Sequence, residues 1–266
     1  MTHFMKGKQV NGYQEIFSEA DALLNYLAFG KLELNKEQTF ESATNEYETT
    51  LVILEGTISV ETEGQSWTAL GGRTSVFDGK ATAVYIPCQA TYKITAESVA
   101  QIAVCKVKAE EKYRPFVVRP EDIVIHRRGK DTWQRVVHDI IVENDYPGKV
   151  QRTVLGETFN DPGSWSGYPP HKHDGEFAPE EPNLEEIYHY QVNPEQGFGV
   201  QFLYTKDGEI DQAYRIQQGD SFAIDKGYHP VGGAGGYQIY YLWFMAGPSG
   251  RTLNPYEDPD HRWLSE

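Results

Sequence analysis

Residues 221–229 read Ser221-Phe222-Ala223-Ile224-Asp225-Lys226-Gly227-Tyr228-His229. A short apolar run meets a charged pair, then a glycine that marks a tight turn, then an aromatic residue and a histidine. The first half of the chain holds a counterpart, Val84-Tyr85-Ile86-Pro87-Cys88-Gln89-Ala90-Thr91. Upstream, Tyr47-Glu48-Thr49-Thr50-Leu51-Val52 runs into Glu55-Gly56, as Leu184-Glu185-Glu186-Ile187-Tyr188 runs toward Gly197-Phe198-Gly199. The order is the same in both halves: strand, glycine turn, strand, glycine-rich turn, strand, tight turn, strand. The chain is therefore expected to be all-β, with two homologous barrels of jelly-roll type. The predicted division is 1–118 and 119–266, with a charged linker over 119–150. Helical signal is confined to Ser18–Tyr26 and a turn within Asn254–Leu264.

Composition agrees with a packed globular chain. The 266 residues are 39% hydrophobic and 13% aromatic, enough to fill a sizeable core. The net charge of −15 repels phosphate backbones and anionic lipid, so neither nucleic acid nor a membrane is an expected partner. No run approaches the roughly 18 apolar residues of a membrane-spanning helix, and the start, Met1-Thr2-His3-Phe4-Met5-Lys6, lacks a signal-peptide pattern. Cys88 and Cys105 read as small core residues rather than a disulfide framework. A cytoplasmic protein is the expectation.

The chemistry lies in the second half. In Tyr168-Pro169-Pro170-His171-Lys172-His173-Asp174 the two histidines alternate with a lysine, so on a strand they share one face. Twelve residues separate His173 from Glu186, which is in phase with Tyr188 and Tyr190, while Glu185, Ile187 and His189 take the opposite face. After 42 more residues His229 follows its glycine turn. His171, His173, Glu186 and His229 together suit one divalent transition metal, with Zn, Mn, Fe, Ni or Co open on spacing alone. Thr91 falls where His229 falls, and no His-x-His precedes Glu48. The first half is thus expected to be structural or to serve an oligomer interface. His3, His126, His138, His189 and His261 read as structural.

The order His-x-His, Glu, then a glycine-turned His resembles the two-motif signature of cupins. The strings SWSGYPPHKHD, LEEIYHYQV, GFGVQFLYT, GYHPVGGAGGY and YYLWFMAG resemble the 5-deoxy-glucuronate isomerases of bacterial inositol breakdown. The likeness spans most of 119–262, is most specific over 164–247, and is only general over 1–118. Isomerases of 5-keto-4-deoxyuronate share the double-cupin plan but match less well. Asp225 stands where a proline is commoner, which changes turn rigidity and not the ligands.

The resemblance implies a metal-dependent aldose–ketose isomerase converting 5-deoxy-D-glucuronate to 5-dehydro-2-deoxy-D-gluconate. It implies one metal per chain (Zn first, Mn or Fe next), a small anionic sugar acid as substrate, and a homo-oligomer. Tyr188 and Tyr190 are the candidate catalytic side chains. Arg152, Gln201 and Tyr241 are candidates for substrate contact, with Lys226 and Arg251 as other cations for the carboxylate. The acidic loop carrying Glu176, Glu180 and Glu181 is expected to lie over the mouth as a solvated lid. A non-haem iron dioxygenase and a non-catalytic sugar-binding cupin are the rival readings. A complete ligand set argues against the second, since nothing structural requires four convergent metal ligands.

Overall fold

The computed structural model describes residues 2–9, 11–142 and 149–265; residues 143–148 of the expected linker lie outside them. The chain builds two antiparallel barrels, each from a large sheet facing a smaller one. In the first, a six-stranded sheet runs in the order Phe116–Val118, Ala83–Ile86, Tyr47–Glu55, Ala100–Lys108, Leu27–Leu34, Gly12–Phe17. Its partner holds Thr39–Ala43, Thr91–Ala96, Thr57–Thr62 and Gln65–Gly71. In the second, Phe4–Met5, Ser221–Ile224, Glu185–Asn193, Gln238–Ala246, Val154–Asn160, Arg135–Ile141 and Val124–Arg128 face Trp165–Ser166, Val231–Gly233, Gly199–Tyr204 and Asp211–Ile216. No helix among the described residues is long and apolar enough to cross a membrane.

The large sheets pack back to back, so their strands are buried on both faces and lack polar alternation. Leu51 and Ile53 fill the first barrel, whereas Val52 and Leu54 join the layer between barrels. In the second barrel Tyr241, Trp243 and Met245 point inward, and Tyr240, Leu242 and Phe244 point to the first barrel. His189 follows the same parity: it is buried on the inter-barrel face, packed on Phe29 with ring centroids 5.4 Å apart, and bonded to Ser221 Oγ at 2.9 Å.

The repeat is exact in register. Thr49 pairs with Ile86 and Glu186 pairs with Ile224. Thr49 therefore occupies the position of Glu186, and Glu48 that of Glu185. Gln89, at φ +55°, takes the turn position of Gly227, at φ +88°.

One strand crosses between the halves. Phe4–Met5 precedes the first barrel yet pairs with Ser221–Ile224 in the second. Phe116–Val118, the last strand of the first half, stays with Ala83–Ile86 in its own barrel.

One of the two helical expectations is corrected and the other holds. Ser18–Tyr26 forms only a 3-10 turn at Glu19–Asp21, closed by Ala22 at φ +52°. The N–H groups of Asn25 and Tyr26 donate to the Glu185 carboxylate at 2.7 and 2.8 Å, not to helical carbonyls. Near the C-terminus, Tyr256–Glu257 is a short strand paired with His171–Lys172, and a 3-10 turn follows at Arg262–Leu264. Cys88 and Cys105 are buried and free.

Candidate metal centre

His173, Glu186 and His229 come from three separate segments and are all buried; one ligand atom from each lies within 4.8 Å of the others. Glu186 Oε2 is 3.2 Å from His173 Nε2 and 3.4 Å from His229 Nε2. Strand parity turns Glu186 into the barrel beside Tyr188. His229 is set by its turn: Gly227 adopts φ +88°, and a Cβ there would come within 2.8 Å of the Tyr204 carbonyl oxygen. The Gly227 N–H donates to Asp174 Oδ2 at 2.9 Å, which ties the His-x-His segment to the turn bearing His229.

The other ring nitrogens are already committed. His173 Nδ1 lies 2.7 Å from the Leu184 carbonyl, and His229 Nδ1 lies 2.8 Å from that of Gly227. A carbonyl only accepts, so each Nδ1 carries the proton and each neutral ring turns an Nε2 lone pair toward Glu186. His229 Nε2 is buried with no hydrogen-bond partner. Two imidazole lone pairs thus face a carboxylate in a buried space, an arrangement that a shared cation relieves. Backbone bonds that orient ligating imidazoles in this way are the usual support of a metal site.

The electrostatics agree. Burial opposes ionisation of Glu186, but the neighbouring His173 and His229 outweigh it and hold the carboxyl at about 2. For His173, burial pulls downward and Glu186 more than offsets it. His171 is pulled to about 3 by burial and then by His229 and His173, so it is neutral at pH 7. It sits beside the trio: its ring centroid is 5.1 Å from that of His229 and 6.5 Å from that of His173, and its Nδ1 is 3.3 Å from the Pro169 carbonyl. The trio's two imidazoles and one carboxylate suit a divalent transition ion, with His171 beside them as the expected fourth donor.

A cavity of about 380 Å³ opens on these residues, lined in part by His171, His173, Glu186, Tyr188 and Tyr241. Tyr188 and Tyr241 stack with centroids 4.6 Å apart, and Tyr241 Oη donates to Ser166 Oγ at 2.9 Å. Burial raises both phenols, so both keep their protons.

Other expected site residues fall elsewhere. Tyr190 lies in the core below the cavity, its hydroxyl bonded to Gln201. Gln201 is fully buried and donates from Nε2 to the His229 carbonyl at 2.9 Å, so it supports the turn and does not face the cavity. Arg152 serves the first barrel: it donates to the Lys108 carbonyl at 3.0 Å, lies 3.5 Å from Glu110 and stacks over Tyr26. Lys226 pairs with Glu209 at 2.8 Å, and Arg251 donates to the Thr153 carbonyl at 2.9 Å. In the acidic loop, Glu181 is not a solvated lid residue but is buried against Lys172, at 2.8 Å.

The cations that do line the cavity are Arg128 and Arg135. Sequence reasoning passed over them as part of a charged linker. Arg135-Val136-Val137-His138-Asp139 does alternate polar and apolar residues, and that was the available signal. His126, expected to be structural, also lines the cavity, bonded to Asp139 at 2.8 Å.

Comparison with known proteins places the geometry in context. Residues 3–264 match the model of the KduI/IolB family. The 5-deoxy-glucuronate isomerase of Halalkalibacterium halodurans is 36% identical over 247 residues, covering 92% of this chain and 90% of that protein. The one from Bacillus licheniformis is 34% identical over the full length of both. An IolB-like protein from Salmonella typhimurium superposes with a TM-score of 0.94 at 30% identity, covering all of both chains. An oxalate decarboxylase from Lactobacillus farciminis, at 12% identity and a TM-score of 0.69, shares the double-cupin fold.

Proposed function

The chain belongs to the KduI/IolB family and is an isomerase, and from that premise we propose that it converts 5-deoxy-D-glucuronate to 5-dehydro-2-deoxy-D-gluconate at the His171, His173, Glu186, His229 centre. The observation that carries the reading is the convergence of two Nε2 lone pairs and one carboxylate in a buried space, each Nδ1 already committed. The names of the curated relatives support the substrate over 5-keto-4-deoxyuronate.

The reaction moves one hydrogen from C2 to C1 and one proton from the C2 hydroxyl to the aldehyde oxygen. A divalent metal, Zn first and Mn or Fe next, supplies when bound a Lewis acid for those two oxygens. The protein's own groups do the rest. Burial of His173, Glu186 and His229 strengthens every charge interaction among them. Tyr188, whose phenol burial keeps protonated, presents an O–H donor to oxygens that gain negative charge, and Tyr241, whose O–H is held by Ser166, packs beside it. Val137, Trp243 and Met245 offer an apolar surface suited to the C5 methylene.

Proton NMR of the purified, metal-loaded protein with 5-deoxy-D-glucuronate tests this. The aldehyde signal should disappear into ketone product without oxygen uptake. D-Glucuronate, with its added hydroxyl, should react less well, by no more than about 10²-fold. Equal turnover of the two would refute the substrate, and oxygen uptake coupled to substrate would refute the isomerase chemistry.

A further inference from the structure

The hairpin formed by Val124–Arg128 and Arg135–Ile141 sets Arg128 directly opposite Arg135 and His126 opposite Val137. Both arginines, His126 and Asp139 line the cavity that holds His171 and Glu186. His126 Nε2 and Asp139 Oδ2 lie 2.8 Å apart. The arginines have no such partner: among the described residues neither makes an ion pair with a carboxylate, and Arg135 Nη1 donates only to the Trp133 carbonyl, at 3.2 Å.

Like charges directly across an antiparallel pair are destabilising. Here they persist in a chain with 39 acidic residues against 24 basic ones, where a neutralising carboxylate would be easy to supply. The hairpin loop is itself fixed, since Trp133 packs on Tyr168 with centroids 5.6 Å apart, close in sequence to His171. Arg135 is the deeper of the two; burial, and then the charge of Arg128, lower its pKa despite the nearby Tyr241 and Tyr188. Its field reaches His171 as well. One wall of the cavity thus carries two adjacent guanidiniums, and its own carboxylate, Asp139, lies against His126 rather than against either of them.

We propose that Arg128 and Arg135 form the subsite for the carboxylate of the substrate, holding a sugar acid by its acid end while its aldehyde end lies at the His173, Glu186, His229 centre. The identity of the anion rests on the isomerase reading; the subsite itself rests on two guanidiniums that pair with no carboxylate among the described residues. Planar guanidinium groups suit bidentate carboxylate binding, which fixes orientation as well as affinity.

The test uses the metal-loaded full chain and its Arg128→Gln, Arg135→Gln and Arg135→Lys variants, with metal content and thermal unfolding checked against the parent. Calorimetric titration with D-gluconate, a sugar acid, and D-glucitol, its neutral counterpart, reads the subsite without turnover. The parent should prefer the acid, and each Arg→Gln change should weaken acid binding about ten- to hundredfold. Arg135→Lys should recover part of that loss. With 5-deoxy-D-glucuronate the deficit should fall mainly on KM. Acid binding unchanged in both Gln variants, or acid and neutral ligand weakened equally, would overturn the subsite. Arginine-dependent binding of gluconate without turnover of 5-deoxy-D-glucuronate would refute the isomerase reading and leave the subsite standing.

Discussion

Each histidine of the centre has its Nδ1 at a backbone carbonyl, so side-chain identity there is a demand on Nε2 alone. His229→Ala should lower metal affinity by orders of magnitude while the protein stays folded, since it deletes one of the three convergent donors; elemental analysis after dialysis against a weak chelator reads this directly. His189→Gln should retain full metal content, because His189 faces Phe29 across the inter-barrel layer. Metal loss from a folded His189→Gln protein would contradict the strand parity on which Glu186 was chosen over Glu185. These residues were legible in the sequence because strand parity is a two-residue rule and a histidine after a glycine turn is a local pattern. Arg135 was not legible. Its role depends on which strand lies beside Val154–Asn160, a long-range pairing that local periodicity does not encode. Arg152, two residues before the strand Val154–Asn160, lies nearer the metal motif in sequence but is drawn to the first barrel by Glu48, which accepts its backbone N–H at 2.8 Å.

At the scale of elements, the loop after His173 is held by a buried cation. Lys172 is 2% exposed, and its Nζ lies 2.5 Å from Asp174, 2.8 Å from Glu181 and 3.0 Å from Glu176. Parity had turned Lys172 away from the metal; the structure shows what it turns toward. Lys172→Met leaves these carboxylates facing one another around an apolar stem. Breaking a buried pair by removing one partner costs about 3–5 kcal/mol, so the urea midpoint should fall accordingly. Because Asp174 also accepts the Gly227 N–H, metal affinity should fall with it. A variant with the parent's midpoint and affinity would show that the cluster holds nothing in place. The same scale explains the missing helix at Ser18–Tyr26. Its residues have helical composition, but Glu185 from the other barrel takes two of its N–H groups, and tertiary contact overrides local propensity.

At the scale of the molecule, the repeat visible in sequence becomes a reciprocal clasp. Glu48 accepts N–H groups from Gln151, Arg152 and Thr153, just before the second barrel's strand Val154–Asn160. Its counterpart Glu185 accepts those of Asn25 and Tyr26, just before the first barrel's strand Leu27–Leu34. Between the barrels Arg73 Nη2 meets Glu157 Oε1 at 2.7 Å, both side chains almost wholly buried, and Tyr240 Oη donates to the same oxygen at 2.8 Å. With Phe4–Met5 lent to the second barrel as well, the two barrels should unfold in one transition. Arg73→Met should destabilise that transition by about 3–5 kcal/mol, and pairing it with Glu157→Leu should recover much of the loss; two separate transitions in the parent would contradict the coupling. The clasp could be suspected from aligned Glu48 and Glu185 but not read, since a carboxylate's partners lie over a hundred residues away. The repeat also sharpens the central claim, because Thr49 and Thr91 stand where the second barrel has Glu186 and His229. Metal-free protein titrated with Zn or Mn, with 5-deoxy-D-glucuronate turnover followed at each addition, tests that claim most directly. Activity should rise linearly from zero and stop at one equivalent per chain; turnover by the metal-free protein, or a rise that continues to two equivalents, would contradict it.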